Sequence, residues 1–149
     1  MVSGRLIRLV EDHKEQIANN VLGEIHKHPE LAHIRSLPDA ELRERGQMIL
    51  ENLGHWLSGH EAELERRYEA LGEARFEESI PLQESVRALA IVKHKMLDFV
   101  HYQGMATTSL NLYAEQELQR RVGRFFDELT IHMVRGYETA WQRDAHVNA

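Results

Sequence analysis

The chain has 149 residues, enough for one domain with a real hydrophobic core. Hydrophobic residues make up 42% and charged residues 28%, which excludes a disordered chain. No apolar run is long enough to cross a bilayer. There is no cysteine, so disulfides, thiol catalysis and zinc–thiolate sites are excluded, and a net charge of −6 argues against nucleic acid as a partner.

The first nine residues carry two arginines but no long apolar stretch and no small-residue cleavage site, so no signal peptide is read and a cytoplasmic location is expected. A first helix is predicted over residues 4–28, with Leu6, Val10, Ile17 and Val21 on one face at the 3.6-residue period, and Pro29 ends it. Ser36-Leu-Pro-Asp39 reads as a helix start, with a capping serine, a proline in the first turn and an acid three residues on. The second helix then runs to about residue 57, burying Leu42, Ile49, Leu53 and Trp56, and Ser58-Gly59 breaks the chain.

The third helix covers about residues 61–78 with Leu64, Tyr68 and Leu71 inward, and Gly72 is expected to interrupt it at a cost of about 1 kcal/mol relative to alanine. Ser79-Ile-Pro81 restarts the chain as a fourth helix to about residue 103. It is the most apolar of the set and is expected to lie centrally. Gly104 is a C-terminal stop, and Thr107-Thr-Ser109 caps a fifth helix to about residue 141, with the stripe Ala114, Leu118, Val122, Phe125, Leu129, Met133 and Tyr137. Residues 144–149 are expected to fray. The fold expected is all-α: a single domain over 1–149, a five- to six-helix antiparallel bundle or a globin-like arrangement.

Ionisable side chains on apolar faces are the informative ones, because burial demands a partner. His13 and Glu24 fall on the stripe of the first helix, Arg75 on that of the third, Lys93 on that of the fourth and His132 on that of the fifth. Together they suggest a polar pocket for a small anionic ligand. Glu24 is the best-placed carboxylate for Arg75 and Lys93, with Glu51, Glu78 and Glu128 as further candidates. The competing reading is a structural ion-pair network in which Lys93 snorkels past its apolar neighbours.

Ten histidines raise the question of metal or haem. Glu51–His55 and Glu128–His132 are spaced i to i+4 without companion carboxylates, and His26, His28 and His33 cluster near a loop without a visible supporting shell. His94, His101 and His132 are the candidates for a haem ligand. No metal and no cofactor is expected, and a haem- or metal-binding sensor is the alternative. No catalytic residue emerges, because Ser58, Ser79 and Ser109 sit at helix breaks and caps and no glycine-rich phosphate loop is present.

Tyr68-Glu-Ala-Leu-Gly-Glu-Ala-Arg75, Glu78-Ser-Ile-Pro-Leu82, Val86-Arg-Ala-Leu89 and Lys93-His-Lys-Met-Leu97, taken in that order, resemble the RsbRD-type N-terminal domain of bacterial RsbT co-antagonists. The resemblance spans about residues 6–141. It implies a non-enzymatic, all-α signal-input domain, related in role to the non-haem globin-like sensors of stressosomes, that dimerises and does no catalysis. In that family a STAS domain or a kinase usually follows the input domain, whereas nothing follows Ala149 here. The output then comes from a partner, or was removed with an excised segment. The aromatic end of the last helix, Phe125, Phe126, Tyr137 and Trp141, is the expected dimer face.

Overall fold

The computed structural model describes residues 3–104 and 109–147. Among them are seven α-helices and one 3₁₀ turn, with no strand: α1 (Gly4–Asp12), α2 (Lys14–Lys27), the turn Ile34–Ser36, α3 (Asp39–Glu51), α4 (Leu53–Leu57), α5 (Glu61–Glu77), α6 (Leu82–Gly104) and α7 (Ser109–Val147). The fold is all-α, as the periodicity predicts. The helix number rises because two predicted helices are each broken once, at His13 and at Asn52. Neither break carries a glycine or proline to announce it. A tertiary bond accompanies them: the Glu11 carboxylate, near the end of α1, accepts the Gly54 backbone N–H at 3.0 Å and so satisfies a free donor at the start of α4.

Other local expectations change too. Ser36 does not cap α3; its hydroxyl donates to the carbonyl of His33 in the preceding turn, and Pro38 occupies the N-cap. The C-terminal residues do not fray from Asp144, since α7 runs on to Val147. Thr107 and Thr108 lie outside the described residues.

Cross-helix pairs give the directions. Lys14–Glu51 (3.3 Å) and His26–Asp39 (3.1 Å) make α2 and α3 antiparallel. Glu24–Lys95 (3.6 Å), with Glu30–Arg87 (2.7 Å) from the loop that follows α2, does the same for α2 and α6. Ser85–Tyr137 (2.7 Å) and His101–Glu115 (2.8 Å) set α6 antiparallel to α7. Glu65–Arg135 (3.8 Å) and Glu73–Arg143 (2.7 Å) run in the same sense along α5 and α7, which are therefore parallel.

Gly72 does not interrupt α5. It lies against Gly136 of α7, and a Cβ at Gly72 would fall 2.2 Å from the Met133 carbonyl, while one at Gly136 would fall 2.1 Å from the Glu69 carbonyl. The missing side chains let the two backbones touch. The stripe predicted for α7 is buried throughout, from Ala114 to Tyr137. At the N-terminus, the Ser3 amide and hydroxyl both bond to Glu117, which ties the start of α1 to α7.

Candidate functional site

The five pocket residues expected from helical faces do not meet in one cavity. His13 sits at the α1–α2 break, exposed; its ring lies 5.1 Å from that of Phe99 and its Nδ1 bonds to the Leu9 carbonyl. The phase count that placed it inward assumes an unbroken helix. Glu24 pairs with Lys95 in an open groove of about 450 Å³ between α2 and α6. Lys93 is half-buried and makes no ion pair among the described residues, because the buried face of α6 runs through Glu84, Ser85, Val92, Met96 and Phe99 and leaves Lys93 at its margin. His132 is only 8% exposed and lines a separate groove of about 280 Å³ with Trp56, Leu64, Arg121 and Arg124. Its Nε2 stands 3.9 Å from Glu128, and its buried Nδ1 has no hydrogen-bond partner.

Arg75 is the one that reaches the centre. It is 4% exposed, on the wall of a partly open cavity of about 60 Å³ lined by α2, α3, α5, α6 and α7. The walls are largely apolar, from Val21, Ile25, Ile49, Leu71, Leu89 and Met133, with Arg45, Tyr68 and Ser85 as the other polar groups. The Arg75 Nη1 donates to Glu41 at 2.8 Å and to Glu78 at 3.1 Å. Of the carboxylates considered from sequence, Glu78 is a partner and Glu24 is not. The second partner, Glu41, comes from α3 and shares no periodic relation with Arg75, so no sequence spacing could reveal it. Both carboxylates bond to one guanidinium nitrogen, while Nε and Nη2 make no hydrogen bond with the described residues.

The hydroxyls beside Arg75 are ordered differently. Tyr137 donates to the Ile80 carbonyl at 2.9 Å, so the Ser85 hydroxyl must donate to Tyr137 and keeps its lone pairs free. Burial raises the Tyr137 phenol above its ordinary range, against the lowering effect of the Ser85 hydrogen bond. Tyr68 is buried, and burial holds its phenol well above the ordinary value, opposed by the charges of Arg45 and Arg67. Tyr68 read from sequence as plain core, since a tyrosine on an apolar stripe carries no sign of whether its hydroxyl is satisfied. Glu84 is another residue the sequence did not single out: it is buried and accepts the backbone N–H groups of His33 and Ile34 at 2.9 and 3.1 Å.

The aromatic residues of α7 divide. Of the four expected at a dimer face, Phe125, Phe126 and Tyr137 are buried within the chain's own core and Trp141, 62% exposed, is on the surface, as is Tyr113 near the start of the helix. Ile131 is exposed on the same helix. Several of the histidines weighed as metal or haem ligands have separate protein partners. Glu51 pairs with Lys14 rather than His55. His26 pairs with Asp39, His28 accepts the Glu30 amide and His33 meets Glu84. His94 is exposed and His101 pairs with Glu115; neither they nor His132 lines the central cavity.

No helix among the described residues is long and apolar enough to cross a membrane. No curated protein and no solved structure matches the chain. The RsbT co-antagonist protein rsbRD N-terminal domain matches residues 15–148, nearly the whole length, with α2 from its second residue and all of α3 to α7. The chain belongs to the RsbRD N-terminal domain family.

Proposed function

We propose that this domain is a non-enzymatic input module of stressosome type, which binds a small anionic ligand at the central cavity and regulates an output module through α7. The observation that carries the reading is Arg75: a residue 4% exposed on a largely apolar cavity wall, whose bonds to Glu41 and Glu78 both run through Nη1, which leaves the Nε and Nη2 donors without a partner among the described residues. A carboxylate or comparable planar anion would take two such donors in parallel. Tyr68, kept neutral by burial, offers a hydroxyl on the same wall, and Arg45 adds a second positive charge to it.

The cavity, about 60 Å³, holds roughly two waters' share of liquid volume. A ligand larger than formate or nitrate must spread the helices around it. It then favours a second arrangement of the bundle by its differential affinity for the two, and by no more than that. Because α7 lines the cavity at Met133 and touches α5 at Gly136, any spreading moves the segment that ends at Val147. The output would be a STAS domain or a kinase in the cytoplasm, and the domain would work as a homodimer with the outer face of α7, Trp141 and Ile131, between the copies.

The test is a two-dimensional NMR titration of the full chain with formate, nitrate and acetate. Saturable shifts at the Arg75 side chain, Ser85 and the end of α7, weakened at least tenfold in Arg75→Lys, are expected. Lysine keeps the charge but loses the planar fork. No saturable shift, or equal affinity in the variant, overturns the cavity reading.

A further inference from the structure

The α4–α5 junction carries a second constellation, independent of the central cavity. His55 on α4, His60 in the connecting turn and Glu63 in the first turn of α5 bring one ligand atom each to within 4.8 Å of one another. From this geometry we infer a binding site for a divalent transition metal of the zinc class, held by the two imidazoles and the Glu63 carboxylate.

Four features support it. First, the chain bends sharply to place His60. Gly59 has φ 129° and His60 itself has φ 67°, a left-handed conformation that side-chain-bearing residues seldom adopt. The bend stacks the His60 ring on that of His55, with centroids 3.7 Å apart. Second, His60 stands at the N-cap of α5 yet makes no capping hydrogen bond, so its ring nitrogens are not committed there. Third, the carboxylate is oriented from behind. Glu63 Oε1 accepts from Arg67 Nε at 3.2 Å, which leaves Oε2 facing His55 Nε2 at 3.8 Å. Arg67 is itself placed over the Trp56 ring, 5.6 Å from its centroid. Such outer partners are what fix the direction of metal ligands. Fourth, Glu61 adds a further negative charge to the same first turn.

Bonds of about 2.1 Å in a tetrahedron put ligand atoms roughly 3.4 Å apart, so the set, now within 4.8 Å, has to contract and one ring has to reorient. The two rings are nearly coplanar in orientation, 20° apart, so their lone pairs run side by side. One exposed ring must therefore turn about its Cβ–Cγ bond to converge on an ion, and binding would break the stack. Two nitrogens and one oxygen suit zinc, cobalt or nickel, and not calcium or magnesium, which take oxygen sets. Three protein ligands leave a fourth position for water or for a group from a partner. An ion held here would lock α4 to α5 across the turn at residues 58–60.

The experiment titrates the full chain with zinc chloride by calorimetry, with the fluorescence of Trp56 followed in a Trp141→Phe background. Variants are His55→Ala, His60→Asn and Glu63→Gln, with the double variant His26→Ala/His28→Ala as a control for other histidines. Asparagine tolerates the left-handed backbone at position 60, so that variant removes the ligand and keeps the turn. One equivalent of zinc is expected, with a change in Trp56 emission, tenfold or greater loss of affinity in each of the three site variants, unchanged affinity in the control, and no competition from excess magnesium. The inference is overturned if the unmodified chain binds no zinc, if affinity survives in His60→Asn, or if the control variant is the one that loses it.

Discussion

A buried arginine and a buried tyrosine on the same cavity wall were not equally visible in the sequence. Arg75 stands out because a guanidinium on the stripe of Leu64, Tyr68 and Leu71 has to be explained by a partner. Glu78, one turn on, is a partner that spacing can supply, whereas Glu41 belongs to another helix and required the packing. Tyr68 gave no signal, yet its phenol has a consequence for stability. Burial raises its pKa above the ordinary 10.0, so the folded chain holds that proton more tightly than the unfolded chain does. Below pH 10 both states keep it and the stabilisation is complete. As the pH climbs past 10 the unfolded chain releases the proton first, so stability falls with pH, by at most about 1.4 kcal/mol per unit from this one group. Replacing Tyr68 by phenylalanine removes that contribution. Urea midpoints measured between pH 9 and pH 11 should fall less steeply in Tyr68→Phe than in the unmodified chain, whose lysines titrate equally in both. Identical slopes would mean that the phenol ionises as freely in the fold as outside it.

At the scale of the elements, helix existence and inward faces were legible because a 3.6-residue stripe survives packing, and the stripe of α7 is buried as expected. Two breaks, at His13 and Asn52, were not legible, because tertiary bonds such as Glu11 to Gly54 accompany them and no local breaker marks them. The sequence identified Gly72 as special for the wrong reason. Glycine in mid-helix costs about 1 kcal/mol in propensity, but here its value is the backbone contact it permits with Gly136. Alanine at either position places a Cβ within 2.2 Å of a carbonyl oxygen on the opposite helix, and backbone cannot swing aside as a long side chain can. Gly72→Ala and Gly136→Ala should each cost about 1–3 kcal/mol or more, the range for overpacking, and should loosen α7 beyond the crossing. Gly23 in α2 and Gly123 in α7 have nothing within 4 Å of a built Cβ, so alanine there should stabilise by about 0.5–1 kcal/mol. Chemical denaturation of the four variants checks both signs at once. A stabilised Gly72→Ala would show that the helices do not touch at this point in solution.

For the whole molecule, the question is which surface meets a second copy. An apolar stripe on an amphipathic helix has the same pattern whether it packs against its own chain or against another, which is why Phe125, Phe126 and Tyr137 read as a dimer face and turn out to be core. Phe126→Glu would therefore put a charge into the interior and unfold the chain, saying nothing about association. Trp141 is different: it is exposed, and its side chain can bury roughly 150–250 Å² against a partner. A stable interface needs about 1,200–2,000 Å² in all, so Trp141 would be an anchor within a larger contact along the outer face of α7, with Ile131 nearer the middle of the helix. In the proposed homodimer, Trp141→Glu should leave the helical circular-dichroism signal and the urea midpoint nearly unchanged, because the residue makes little of the core. Its sedimentation equilibrium should shift to the monomer mass at concentrations where the unmodified chain is dimeric, with at least a tenfold rise in the dissociation constant. A Trp141→Glu chain that stays dimeric moves the interface off this face. An unmodified chain that is monomeric at every concentration removes the homodimer from the proposed mechanism, and α7 would then have to signal through its end alone.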